Sequence, residues 1–235
     1  MRIKRYNNFI TDKVVEAKTI AFINDEISES EFINFLQQEM INESIVDVVK
    51  NKIINVLSSF LNKAKEIGFK IFDKLKSILN WIIDKVNTFK QKNPTLYKVL
   101  MITIIVITIL IISTSSAHAA ISGQPIPVDK IDMAIGLLRK LATEDVISNF
   151  DASNAIAYLV DLRDGSLELP ELGQKTIDMA DAALRAVDNI GSEAIAKEDS
   201  ALMDACISLM ERGKEVMSAV VEKIGSTEKV KLVLK

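Results

Sequence analysis

The fold is decided by the sequence Val99-Leu-Met-Ile-Thr-Ile-Ile-Val-Ile-Thr-Ile-Leu-Ile-Ile112, which is almost entirely hydrocarbon. The uncharged stretch around it extends from Val99 to Val128, although 26% of the 235 residues are Asp, Glu, Lys or Arg. In water this stretch would expose a large apolar surface, so we expect it to lie in a bilayer or a translocon. The sequence therefore predicts an all-α protein with long amphipathic helices, one transmembrane helix and a small C-terminal helical bundle.

The predicted membrane span covers residues 95–121, since a transmembrane helix needs about 20 residues and serine, threonine and alanine are tolerated near its end. A signal-like segment is an alternative, because a basic flank, an apolar core and the small residues Ala117 and Ala119 predict cleavage after Ala119. A buried core helix of a soluble protein is the third alternative. The residues predicted to form the membrane span are Val99, Leu100, Ile104, Ile105, Val106, Ile107, Ile109, Leu110, Ile111 and Ile112.

Charge is distributed unevenly on either side of the apolar run. Residues 1–49 carry 5 Lys/Arg against 9 Asp/Glu, residues 50–98 carry 11 against 3, and residues 99–235 carry 13 against 20. Basic segments next to a span stay on the cytoplasmic side. The sequence therefore predicts a single-pass protein with a cytoplasmic N-terminus and an extracytoplasmic C-terminus. No nucleic-acid partner is expected.

A lysine-rich amphipathic helix is predicted over residues 48–94, where apolar residues recur in steps of three and four. Unbroken from Val48 to Phe89, it would be about 60 Å long. Its polar face suits the anionic inner leaflet, while packing against residues 28–47 and a self-associating heptad seam that would form a homo-oligomer are alternatives. Trp81 lies outside the apolar arc, as an interfacial anchor or an exposed residue. The predicted membrane-surface residues are Lys63, Lys70, Lys74, Lys76, Tyr97 and Lys98.

The other segments are also predicted to be helical. Residues 1–47 form an acidic segment, in which Ser28 and Glu31 have the spacing of a capping box. Residues 122–127 form a linker. Residues 128–235 form the C-terminal bundle, with helices near 128–141, 153–162, 170–187 and 200–224 and a weak strand signal at 230–234. Its partner is an unidentified protein.

The inventory of reactive side chains indicates a protein without enzymatic activity or cofactor. His118 and Cys206 are the only histidine and cysteine, so imidazole catalysis, His/Cys metal sites and an intrachain disulfide are disfavoured. The segment from Asp161 to Glu171 partly matches a calcium loop, with Asp164, Glu168 and Glu171 as weak candidate ligands. An ordinary turn between helices is the alternative, because apolar residues occupy the positions of the first two carboxylates.

The opening sequence Met1-Arg-Ile-Lys-Arg-Tyr-Asn-Asn-Phe-Ile10 resembles the start of accessory and virion proteins of large tailed (T4-like) bacteriophages. The resemblance covers ten residues and implies an origin rather than an activity. We expect a membrane anchor that displays the C-terminal bundle outside the cytoplasmic membrane. A membrane-perturbing protein, for lysis or genome delivery, and a virion component with a buried apolar segment are the alternatives.

Overall fold

The computed structural model describes residues 2–40, 49–126 and 128–225, with side chains at 12–39, 49–126, 128–191 and 197–223. Helices make up most of these residues and no strand occurs among them, so the all-α prediction is confirmed. The strand signal at 230–234 lies outside the described residues. The helices are α1 (Arg2–Ile23), α2 (Glu29–Met40), α3 (Ile54–Ile67, preceded by a π-helical turn at Val49–Ile53), α4 (Phe69–Phe89), α5 (Pro94–Ser122), α6 (Val128–Thr143), α7 (Asn149–Arg163), α8 (Leu169–Asn189) and α9 (Ser192–Gly225).

Local sequence signals explain where several helices begin. The capping box is formed, because the Ser28 N–H donates to Glu31 Oε2 at 2.8 Å and the Glu31 N–H donates to Ser28 Oγ at 3.3 Å. Pro94 occupies the first turn of α5, where its missing N–H is harmless. Within α9, Asp199 leaves the helical conformation and its carboxylate caps the Leu202 N–H at 3.1 Å. The predicted helix from residue 200 thus corresponds to the part of α9 after this break.

The lysine-rich segment, predicted as one amphipathic helix over residues 48–94, forms two helices, α3 and α4. Gly68 separates α3 from α4 and has a φ of +57°, which side chains other than hydrogen rarely allow. A Cβ at Gly68 would lie 2.5 Å from the His118 ring of α5, and the Ser115 hydroxyl donates to the Gly68 carbonyl at 3.1 Å. The break lets the lysine-rich segment bend around the end of α5.

The apolar helix α5 forms the centre of the protein. Helices α3 and α4 from the N-terminal side, and α6, α8 and α9 from the C-terminal side, pack against it, and we call these five helices the sheath. Helix α1 packs on α3, and α7 packs on α6. The predicted tail helices near 128–141, 153–162 and 170–187 correspond to α6, α7 and α8. Because both halves of the chain pack on α5, their buried apolar residues form one continuous core.

Candidate functional site: the buried apolar helix

Helix α5 is long and apolar enough to cross a membrane, and it is also buried in protein. Its 29 residues correspond to about 43 Å, more than the roughly 30 Å of a bilayer core. No residue from Val99 to Ile112 is more than 8% exposed. Every residue named above as part of the predicted membrane span is therefore buried in this structure.

The threonines of α5 satisfy their own hydrogen-bonding needs. Thr103 donates to the Val99 carbonyl at 2.9 Å, and Thr108 and Thr114 make the same bond four residues back, each at 2.8 Å. A hydroxyl bonded within its own helix does not depend on a neighbouring helix or on water. The apolar run could therefore move into lipid without exposing an unsatisfied hydroxyl there.

Near its C-terminal end, α5 is held by a buried cluster of three hydroxyls. Ser113 Oγ lies 2.8 Å from the Tyr158 hydroxyl of α7, which lies 2.6 Å from Thr176 Oγ1 of α8, and Thr176 and Ser113 are 3.1 Å apart. Burial raises the pKa of Tyr158, which keeps its hydroxyl protonated. The cluster joins three helices in a region where water is excluded. Sequence reasoning missed it, because Ser113 and Tyr158 are 45 residues apart and no local spacing connects them.

The lysine-rich segment turns its apolar face toward protein. Leu57, Ile71, Leu75 and Ile82 on this face are fully buried. Of the lysines predicted to lie at a membrane surface, Lys70 and Lys76 are exposed, and Lys63 and Lys74 are partly buried. Lys52, at the start of the segment, is buried. Lys63 pairs with Glu66 at 2.6 Å and Lys74 pairs with Asp25. Contact between this apolar face and a bilayer therefore requires α3 and α4 to leave α5.

Two ion pairs connect α4 with α6, and we call them the α4–α6 ion pairs. Lys130 of α6 pairs with Asp73 of α4 and lies 5.3 Å from the centre of the Phe72 ring. In the second pair the lysine is on α4 and the carboxylate is on α6: Lys76 lies 3.4 Å from Asp129. Lys130 is only 6% exposed, so its ammonium group depends strongly on this carboxylate. These pairs link the helix before α5 to the helix after it.

A further contact of the same kind involves Tyr97, which lies buried in α5 rather than exposed at a membrane interface. Its hydroxyl donates to Glu144 at 2.7 Å, and Lys90 lies 3.0 Å from the same carboxylate. The hydrogen bond from Tyr97 and the charge of Lys90 lower the pKa of Glu144. Lys98, the neighbouring predicted interface residue, is partly buried.

Two buried polar groups have no hydrogen-bond partner among the described residues. The indole N–H of Trp81 and the hydroxyl of Ser116 are buried and unpaired. Trp81 is partly buried, with the Lys85 ammonium 5.9 Å from its ring centre, so the expectation that it is simply exposed is wrong. An unpaired buried donor costs about 1–3 kcal/mol. In this fold the indole therefore loses a hydrogen bond that it would have in contact with water.

The remaining candidate residues lie away from this arrangement or are covered by it. Ala117 and Ala119 are buried within α5, so a protease can reach the bond after Ala119 only if this helix opens. Asp164 pairs with Arg163 at 3.0 Å and Glu171 with Lys175 at 3.1 Å. In the described part of the chain, no three His, Cys, Asp or Glu side chains are grouped so as to hold a metal ion. Glu168, the third candidate ligand, therefore belongs to no such group. The segment forms a turn at Gly165, which has a φ of +69°.

Cys206, on α9, is fully buried, as its position on an apolar stripe predicts. Burial raises the pKa of its thiol to about 12, so the reactive thiolate is scarce in the folded protein. No known protein family, curated protein or solved structure matches this chain.

Proposed function

We propose that this is a non-enzymatic membrane-inserting protein that keeps its spanning helix covered until it meets a bilayer, which it then perturbs. The observation that carries the proposal is the near-complete burial within protein of a helix that has the length and composition of a membrane span. Of the functions expected from the sequence, the membrane-perturbing one fits this enclosure best. Lysis and genome delivery are both processes that need such a step.

The surroundings of α5 support a fold that opens rather than a permanent core. The self-bonded threonines allow the apolar run to enter lipid. The sheath also contains a second membrane-seeking element, because α3 and α4 combine a buried apolar face with outward lysines. Trp81 would regain a partner for its N–H at a bilayer interface, where tryptophan is favoured.

In the inserted state, we propose, α5 crosses the membrane and the sheath separates into two parts. The basic residues 50–98 stay at the anionic leaflet from which the protein arrives, and the acidic residues after α5 cross to the other side. When the protein acts from the cytoplasm, this places the N-terminus inside and the C-terminus outside. Several copies would assemble to breach the bilayer.

A reversible cross-link between the helices on either side of α5 tests the proposal. Lys76 and Asp129 are an ion pair across α4 and α6, so we would replace both with cysteine and join them with a short methanethiosulfonate linker that dithiothreitol cleaves. A helix that spans a bilayer separates the segments before and after it by about 30 Å. Linked protein should therefore release no dye from anionic phosphatidylglycerol vesicles, and dithiothreitol should restore release.

The matched control joins two cysteines on one side of α5, at Lys63 and Glu66 of α3, which are also paired. That link should leave dye release unchanged. The proposal is wrong if unlinked protein, soluble without detergent, neither releases dye nor resists extraction by alkaline carbonate. Binding that resists carbonate without dye release would instead indicate a single-pass anchor. Recovery of the protein in purified phage particles, with no membrane binding at all, would indicate a virion component whose α5 is a permanent core.

A further inference from the structure

Among the described residues, the sheath leaves a strip of α5 uncovered, and this window forms a groove. Within the run from Val99 to Ile112, the residues that are more than 1% exposed are Ile102, Ile105, Val106 and Ile109. Their spacing of three and four places them on one face of α5. The same four residues form the floor of a cavity of about 350 Å³ between α7 and α8.

Small side chains and sparse helix contacts create this groove. Helices α7 and α8 make few direct contacts with each other. Their facing positions are occupied by alanine at four places, namely Ala155, Ala182, Ala183 and Ala186. Along α8 the lining extends from Asp178 to Ile190, which corresponds to about 18 Å or three helical turns.

The charge of the lining is one-sided. Its charged residues are Asp151 of α7 and Asp178 of α8, and no lysine or arginine is among the described residues that line the groove. Asp178 accepts one hydrogen bond, from Gln174 at 2.9 Å. Next to Asp151 in sequence is Phe150, which at 74% is the most exposed large apolar side chain among the described residues. An apolar floor with an acidic rim disfavours fatty acids and anionic lipids.

We propose that this groove binds an amphipathic helix of a partner protein, about 12 residues long, with bulky apolar residues on one face and lysine or arginine beside them. The length of the groove matches three turns of helix, and its volume holds a row of side chains at positions i, i+3 or i+4, and i+7. The partner's basic residues pair with Asp151 and Asp178, and its apolar residues cover the exposed strip of α5. The bound helix closes the sheath, and its release reopens the window.

Fluorescence polarisation in the absence of membranes tests this binding independently of the proposed function. The probe is a fluorescein-labelled leucine–lysine amphipathic helix of about 12 residues, and its control replaces lysine with glutamate. The lysine probe should bind and the glutamate probe should not. Ala183→Phe fills the groove and should weaken binding at least tenfold. Asp178→Asn should weaken it about two- to fivefold, the range expected for one rim charge.

Asp188→Asn is the matched control, because Asp188 is exposed on the same helix but outside the groove, and it should leave the dissociation constant unchanged. Circular dichroism checks that the Ala183→Phe variant folds. If that variant does not fold, Asp178→Asn still tests the proposal. Equal binding of the two probes, or equal weakening by the substitutions at 178 and 188, overturns the proposal. So does binding of laurate in place of the lysine probe, which would identify the groove as a lipid site.

Discussion

Replacing Asp73 with lysine should open the sheath, because it removes the partner of the buried Lys130 and adds a like charge beside it. Breaking a fully buried pair costs about 3–5 kcal/mol, whereas a surface pair contributes about 0–1 kcal/mol. Lys130 is buried but the Asp73 side chain is 64% exposed, so the cost should lie between these ranges, at about 2 kcal/mol. After the carboxylate is lost, the ammonium keeps its contact with the Phe72 ring.

A penalty of about 2 kcal/mol raises the population of opened molecules about 30-fold, if the opened form lacks this pair. Asp73→Lys should therefore lower the free energy of unfolding in guanidinium chloride by about 2 kcal/mol. At low protein concentration, it should also speed dye release from anionic vesicles. Both effects come from the same contact, so they should change together.

The matched control is Asp84→Lys, which makes the same charge change on the same helix. Asp84 is exposed and has no ion pair among the described residues, so its replacement should alter stability by less than about 0.5 kcal/mol. Adding Lys130→Asp to Asp73→Lys recreates the pair in reverse and should recover part of the lost stability. If the substitutions at 73 and 84 accelerate dye release equally, added positive charge explains the effect and the reasoning from the ion pair is refuted.

Three other predictions test the enclosure and the packing. In the folded protein the Cys206 thiol is buried and has a pKa of about 12, so it should react with a thiol reagent much more slowly than in the denatured protein. Anionic vesicles should speed the reaction. Rapid labelling of the folded protein without vesicles would contradict this. The hydrogen bond from Tyr97 and the charge of Lys90 lower the pKa of Glu144. The ionised Glu144 therefore stabilises the fold above its unfolded pKa of about 4.3, and this stabilisation is lost as the pH falls through its folded pKa. Glu144→Gln should reduce the loss of stability in acid, measured by denaturant unfolding at a series of pH values. The added methyl group of Gly136→Ala meets open space within α6, so this substitution should stabilise the protein by about 0.5–1 kcal/mol. Gly173→Ala places a Cβ 1.7 Å from the Val221 side chain and should destabilise the protein by about 1–3 kcal/mol. If both substitutions shift the melting temperature in the same direction, the close packing of α8 on α9 is refuted.

Local signals in the sequence located most of the helices correctly. The capping box at Ser28, the proline at position 94 and the periodicity of α6 and α8 act within a few residues. The break at Gly68 was not predicted, because a single glycine inside an amphipathic pattern is compatible with a continuous helix. The contact with His118 that accompanies the break comes from a segment 50 residues later in the chain.

The amino-acid sequence by itself determined that α5 is a helix able to span a membrane, because length and hydrocarbon content are properties of one segment. It also determined that the flanking helices are amphipathic, since periodicity is local. Whether their apolar faces cover lipid or α5 was decided only by the tertiary structure. Both arrangements remove the same side chains from water, and the hydrophobic effect is non-directional, so the sequence pattern is identical for the two. Contacts between distant residues, such as Lys130 with Asp73 and the Ser113 hydroxyl with Tyr158, distinguish the enclosed arrangement.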